Sequence, residues 1–593
     1  MSFRKREAGL SSQMSIALRR IAWFLLALPL LAAAQKPAPE HPSGWTDKQA
    51  VTARRWMVAA ANPHAVDAGY RILNRGGSAV DAAIAVQLVL GLTEPQSSGL
   101  GGGAFLLLHD ARSKRIIAYD GRETAPAAAK PDRFLENGRP LEFFDAVVGG
   151  KAVGVPGTVR LLETVHRKHG RLAWATLFAP AIALAENGFA LSPRLHALLA
   201  EERHMTQPRL RAYFFAADGK VLPVGTTLRN PGYARTLRAI AARGADAFYT
   251  GEIARDIVET VNHQPGNPGD LTLADLANYS VVVREPVCDA YRAYRVCGFP
   301  LPSSGGITVL QMLRMLEPFD LSAMEPASFW SVHFFSEAGR LAFADRSVYE
   351  ADPAFYTPPA GLLDDAYLRS RSALIRPDAS MRSAQPGTPP ERDAKAPKVA
   401  YGVDAALDLP STTHISIVDR YGNAVAMTST IENQFGSRLM AQGGFLLNNE
   451  LTDFSFVPVE DGKPVANRVE GGKRPRSAMS PTIVYDRLGR VAIVAGSPGG
   501  SAIINYVAKT LIGIIDWGLD PQAAIALPNF GSRNGPTELE ADTDVADLAP
   551  RLRALGADVS VVELTSGTQA IQRTRDGWIG GADPRREGVV RGR

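Results

Sequence analysis

Cysteine is nearly absent. The 593 residues hold two, Cys288 and Cys297, so neither a disulfide framework nor a cysteine-rich zinc module can be the basis of the fold. They flank the segment DAYRAYRV, a short hairpin or two strands, where a bridge and two buried thiols both remain open. Histidine is sparse as well, ten in all. His166 and His169 on one helix offer two ligands without the glutamate of the zinc-protease pattern. No metal site and no cofactor are expected.

Long apolar runs are scarce. The clearest, Ile21 to Leu31, follows Arg19-Arg20 and ends in Ala32-Ala33-Ala34 before Gln35. It is shorter than the roughly 20 residues of a membrane span and reads as the core of a secretory signal covering residues 1–34, giving a periplasmic or secreted protein with no stable span after its removal. Most of the excess basic charge leaves with it, the formal net charge falling from +5 to +1. Nucleic-acid binding therefore has little support.

What is present is core-forming material, at 46% hydrophobic residues. Helical apolar spacing covers His64 to Arg75 and Ser78 to Leu92, with Gly76-Gly77 closing the first and Ser78 placed to cap the second. Ala104 to His109 and Arg115 to Tyr119 read as a hairpin, with Arg122 just beyond the second strand, where binding groups often lie. From Pro156 to about Leu368, helical stretches alternate with loops and no repeat is evident. The run AQPGTPPERDAKAPKV, Ala384 to Val399, suits a mobile linker. Beyond it lie a strand at His414 to Val418, a turn at Arg420 to Asn423 and a returning strand at Ala424 to Thr430. Pro481 to Gly496 repeats that hairpin pattern, and Ser501 to Trp517 reads as a helix. The order predicts a mixed α+β fold with largely antiparallel sheets covered by helices, in one compact body.

Two glycine motifs can be set aside. Gly99-Leu100-Gly101-Gly102-Gly103 follows a helix and precedes a strand, the reverse of a dinucleotide loop. Ala495-Gly496-Ser497-Pro498-Gly499 lacks the first glycine of the esterase elbow, so Ser497 is not expected to be a nucleophile.

Thr412 opens a strand straight after the linker. If the chain is cut between Ser411 and Thr412, the new α-amine, with an ordinary pKa of about 7.7–8.0, can serve as general base to the hydroxyl of the same residue. In Gly496-Ser497-Pro498-Gly499-Gly500-Ser501 a strand turns sharply into a helix, and the N–H groups of Gly499 and Gly500 can face an anion with no Cβ in the way.

The stretches TTHISIVDRYGNAVAMTSTIENQFGS from Thr412, GGFLLNNELTDFS from Gly443, GGKRPRSAMSPTIV from Gly471 and GSPGGSAII from Gly496 resemble the γ-glutamyltransferase family of self-processing N-terminal nucleophile hydrolases. Upstream, SSGLGGGAF from Ser97, GRETAPA from Gly121, GVPGTV from Gly154 and PSSGGI from Pro302 are similar to it too, as is GADPRREG near the end. The resemblance implies a four-layer αββα sandwich. It implies a large chain, 35–411, and a small chain, 412–593, held together as a heterodimer of one folded unit. It makes Thr412 the nucleophile, Thr430 the threonine that orients it, and Gly499 and Gly500 the oxyanion donors. Arg122 and Ser477 match the side that receives a substrate α-carboxylate, and Glu450 and Asp453 match the positions that receive the α-ammonium. The partners implied are glutathione or other γ-glutamyl compounds, with water or an amino acid or peptide as acceptor.

Two departures fall in the pocket. Glu432 stands where well-studied γ-glutamyltransferases have asparagine, adding a carboxylate beside the ammonium site, and Ala478 stands where the second serine is expected. The segment from Phe454 to Lys473 is also shorter than in lid-bearing relatives, which implies an open pocket. Beside γ-glutamyl hydrolysis or transfer, these changes keep a cephalosporin- or glutaryl-type acylase in view. The reading from another class is an exported binding protein without turnover.

Overall fold

The computed structural model describes residues 43–391, 400–406 and 411–593. The signal at 1–34 and the second half of the linker, from residue 392 to 399, lie outside the described residues. Of the two units into which the chain divides, 1–37 and 38–593, the second is the one described here.

Two seven-stranded sheets form its centre, and every pairing within them is antiparallel. Along the chain their strands are β1 (Val51–Ala53), β2 (Met57–Ala60), β3 (Gly103–Asp110), β4 (Arg115–Gly121), β5 (Val282–Arg284), β6 (Val287–Tyr291), β7 (Tyr294–Gly298), β8 (Thr412–Val418), β9 (Ala424–Thr430), β10 (Thr482–Tyr485), β11 (Val491–Gly496), β12 (Gln569–Arg573), β13 (Trp578–Ala582) and β14 (Val589–Gly592). The first sheet has the order β14-β2-β8-β9-β3-β4-β5 and the second β1-β13-β12-β11-β10-β7-β6.

The side-chain period of two sorts each central strand between two cores. On β8, Ile415 and Ile417 join the cluster beneath the helices α1 (Pro63–Asn74), α2 (Ala79–Thr93) and α3 (Thr158–His169), whereas Val418 faces the second sheet. On β9, Val425 and Met427 take the helix side, and Ala424 and Ala426 the inter-sheet side. The outer face of the second sheet is covered by α4 (Gly305–Leu316) and α5 (Ile503–Ile515). The layers are therefore helix, sheet, sheet, helix, as expected. Helix α2 is buried all round, which explains why its sequence is apolar on every face. Ser78 caps it in a reciprocal pair with Asp81, each side chain accepting from the other's backbone N–H.

Cys288 and Cys297 sit opposite each other on β6 and β7 and are bridged. The first half of the expected linker is a correction. Residues 384–391 form no helix or strand but are pinned to the body: Gly387 N donates to Asp345 (2.8 Å), Arg371 to the Gln385 carbonyl (2.8 Å), and Gly361 N to the Pro390 carbonyl (2.9 Å). Proline-rich composition signalled the lack of an element, while the backbone hydrogen bonds that hold it come from residues distant in sequence. Among the described residues no helix is long and apolar enough to cross a membrane.

Candidate active site

Because β8 and β9 pair with Thr412 directly opposite Thr430 and His414 opposite Thr428, these four side chains fall on the inter-sheet face at one end of the sandwich. The chain is continuous here, and the Thr430 hydroxyl is fully used. It donates to the Ser411 carbonyl at 2.6 Å, and accepts from the Thr412 hydroxyl at 3.3 Å and from Glu432 N at 2.9 Å. One donor and two acceptor sites are all a hydroxyl has, so Thr430 ties the Thr412 side chain to the carbonyl preceding it. Ser411 is buried, and its own hydroxyl donates to the Gln96 carbonyl at 2.5 Å.

Beneath the threonines, His414 fills the space between the sheets. Its Nδ1 lies 2.8 Å from Thr428 Oγ1 and its Nε2 3.0 Å from Ser416 Oγ. Burial takes its pKa down to about 3, so the ring is neutral. The end of β11 lies against it: a Cβ on Gly496 would come within 2.2 Å of the ring, which only glycine avoids. The chain then turns through Gly499 (φ 134°) and Gly500 (φ 56°), both in the region that favours glycine. Gly500 lines the cavity in front of Thr412. Ser497 is buried with its hydroxyl on the Pro498 carbonyl, a structural role.

Three chain segments supply the other wall. Arg122 leaves the end of β4, Glu450 and Asp453 lie on a short turn, and Ser477, Ala478 and Met479 run past them; with Glu432 and Ile503 they line the same cavity as Thr412 and Thr430. Every predicted site residue except Gly499 is therefore among the lining residues. None of the segment from Phe454 to Lys473 is.

The charges are crowded. Arg122, fully buried, donates to Glu450, to Asp453 and to the carbonyls of Arg476 (2.9 Å) and Pro475 (3.2 Å), with Glu123 4.0 Å away. Burial opposes its charge, but Glu450, Asp453 and Glu123 outweigh that and hold it above its ordinary value. Burial pushes Glu432 well above the carboxylate range, and the Asp453 and Glu450 charges push the same way. Glu450 is likewise raised by burial, against Arg122, and Glu123 is raised to about 7. Glu432 also adopts φ 73°, a left-handed conformation that costs a non-glycine residue about 1–3 kcal/mol. Its Oε2 accepts from Asn449, while Oε1 is buried with no hydrogen-bond partner.

Glu123, Asn449, Met479 and Ile503 were not singled out in the sequence. Glu123 is adjacent to Arg122, and Asn449 to Glu450, which was the available signal. The apolar pair carried none. His166 and His169 turn to separate partners, the Leu172 carbonyl and the Tyr119 hydroxyl.

A threonine at a strand start between two stacked antiparallel sheets, facing a glycine turn, defines the N-terminal nucleophile hydrolase class of architecture. The chain belongs to the γ-glutamyltranspeptidase family, whose profile, described as Gamma-glutamyltranspeptidase, matches residues 65–592. It is 35% identical over 575 residues to the glutathione hydrolase proenzyme of Bacillus subtilis, covering 95% of this chain and 96% of that one. It is 33% identical to the Acylase ACY 1 proenzyme of a Pseudomonas species, over 92% of this chain and 95% of the other. Its fold matches the crystal structure of a cephalosporin acylase from Bacillus halodurans with a TM-score of 0.80 at 27% identity, covering 94% and 98% of the two chains.

Proposed function

We propose that the chain is an exported proenzyme that cuts itself before Thr412 and then hydrolyses or transfers γ-glutamyl groups. The observation that carries this reading is the Thr430 hydroxyl, which joins Thr412 to the Ser411 carbonyl inside the charged cavity.

In the first step Thr412 Oγ1 attacks the Ser411 carbonyl carbon while Thr430 donates to its oxygen. The C–N bond breaks, the amine takes the hydroxyl proton, and an ester links Ser411 to Thr412. Water cleaves the ester, leaving a Ser411 carboxylate and a free Thr412 amine. The products, 35–411 and 412–593, stay together because both sheets mix their strands: β8 pairs with β2, β9 with β3, and β10 with β7.

In the second reaction the Thr412 amine, near pKa 8, takes the hydroxyl proton as Oγ1 attacks the γ-carbonyl. The Gly499 and Gly500 N–H groups face the developing oxyanion. The leaving amine takes the proton, and water or an amine acceptor resolves the γ-glutamyl ester. Glu432, Glu450 and Asp453 receive the ammonium of the acyl group, with Arg122, Ser477 and Ala478 completing the wall. Residues 1–34 direct the chain to the periplasm or beyond.

A second reading, an acylase acting on another acyl amide, is supported by Ala478 in the pocket wall and by the similarity to the two acylases. Turnover of γ-glutamyl p-nitroanilide, with and without a dipeptide acceptor, decides between them. Release of nitroaniline, faster with the acceptor, supports γ-glutamyl transfer; a fully cleaved protein inert to it contradicts the γ-glutamyl reading.

A further inference from the structure

Positive charge is gathered at the end of the sandwich away from the cavity. Strand β8 starts at Thr412 and ends at Val418, which pairs with Ala424 and Met57, and Ala424 pairs in turn with His109. In the second sheet Gly496, against His414, pairs with Gln569, so the turns from β10 to β11 and from β12 to β13 fall at the same far end, where Ala53 lies opposite Trp578. Five turns meet there: 54–56, 111–114, 419–423, 486–490 and 574–577. They lie about 20 Å from Thr412, the length of a seven-residue strand.

These turns hold eight basic residues and three acidic ones. One of the three, Asp419, is buried and turned inward, accepting from the backbone N–H groups of Ala79, Tyr421 and Asn423. Without residues 1–34 the whole chain nets only +1, so the rest of the molecule is acidic on balance. Arg490 is paired with Asp486 at 2.8 Å, whereas Arg54, Arg112 and Arg487 are exposed and have no carboxylate within 4 Å among the described residues. Two clefts open between the turns. One, of about 390 Å³, is lined by Arg112, Lys168 and Arg171 with Tyr421 and Asp110; the other, of about 580 Å³, by Lys114, Arg115, Arg295 and Arg487 with Glu285 and Asp486.

The same end carries an apolar tip. Leu488, between Arg487 and Gly489 in the turn from β10 to β11, is 74% exposed, the most exposed large apolar side chain among the described residues. Tyr421, at the turn from β8 to β9, is exposed too. A soluble polyanion offers charge but no apolar phase for a leucine. A bilayer interface offers both, anionic headgroups that attract Lys and Arg and an acyl boundary that takes up an apolar side chain.

We propose that this end is a docking surface for an anionic phospholipid bilayer, on which the enzyme rests with its basic turns on the headgroups, Leu488 inserted, and the Thr412 cavity facing away toward soluble substrate. The proposal does not depend on which acyl group the enzyme accepts.

Co-sedimentation with vesicles tests it on the purified protein, using phosphatidylcholine alone and phosphatidylcholine mixed with an equal part of phosphatidylglycerol. Binding to the neutral vesicles measures any contribution from the apolar run Ile21 to Leu31. The mixed vesicles should be bound at least about 100-fold more tightly, at about 5-fold for each basic residue engaged, and raising the salt to about 0.5 M should abolish the difference. The triple variant Arg54→Glu, Arg112→Glu, Arg487→Glu should fall to the level seen with neutral vesicles, and Leu488→Ser should bind the mixed vesicles about 10-fold more weakly while keeping the salt dependence. Urea midpoints matching wild type show that the variants fold. Equal binding to the two vesicles, or wild-type binding by the triple variant, overturns the proposal. Wild-type binding by Leu488→Ser, or binding to heparin in solution without binding to the mixed vesicles, overturns the choice of a lipid surface and assigns this end to a soluble polyanion.

Discussion

The Thr412 end and the Arg122 wall of one cavity are built on different physics. Around Thr412 the groups are neutral, carried on paired strands, and satisfied: the Thr430 hydroxyl uses all its hydrogen-bonding capacity, and His414 bonds through both ring nitrogens. Around Arg122 the groups are ionisable, carried on strand ends and turns, and crowded, with an unpartnered oxygen and a strained backbone at Glu432. Rigid neutral groups suit a reaction that needs one geometry. A wall of buried ionisable groups held by loops can vary in sequence without disturbing the paired strands beside it.

The largest expected effect breaks the neutral end. Thr430→Val removes the hydroxyl but keeps the shape. Self-cleavage and γ-glutamyl turnover should each slow about 10²–10³-fold, as for the loss of one preorganised donor. Gel analysis of the maturing precursor and single-turnover kinetics measure the two, and a variant that loses only one of them separates the roles of Thr430.

Packing comes next. In Gly496→Ala the new methyl would overlap the His414 ring, and overpacking of this kind costs about 1–3 kcal/mol. Urea unfolding should show that loss, whereas Gly535→Ala, where the added methyl meets nothing within 4 Å and the backbone is not left-handed, should not.

The smallest effect sharpens the contrast through pH. His414 is held neutral down to about pH 3 in the folded state but titrates near 6.5 when unfolded. The unfolded chain binds the extra proton between those values, so the His414 contribution is lost as pH falls below about 6.5. Glu123, raised to about 7, behaves in the opposite sense: the folded chain keeps a proton that the unfolded chain releases, and the contribution is lost as pH rises toward 7. Relative to wild type, His414→Asn should gain stability on acidification and Glu123→Gln should gain it on moving from pH 5 to 7, each by about 1.4 kcal/mol per pH unit. Urea melts at pH 5, 6 and 7 measure both slopes.

The two regions also differ in how far the sequence disclosed them. Period-two alternation through Ile415, Ile417, Val425 and Met427 places Thr412 and Thr430 on one face with no knowledge of the rest of the chain. Ser78 was readable as a cap because its partner, Asp81, is three residues away. The state of Arg122 was not readable: Glu450 and Asp453 are 328 and 331 residues distant, and their convergence depends on loop paths that have no period. The bridge between Cys288 and Cys297 stayed open because the spacing fits a hairpin whether or not the thiols are joined. Residues 384–391 read as mobile because composition records the lack of an element and not the hydrogen bonds made by Asp345 and Arg371.

Self-cleavage between Ser411 and Thr412 is the central claim, and intact mass with N-terminal sequencing of the purified protein, beside Thr412→Ala, tests it most directly. The account predicts a small chain beginning at Thr412 in the wild type and one uncut chain in the variant. A wild-type protein that stays whole, or a small chain that begins at another residue, would contradict it.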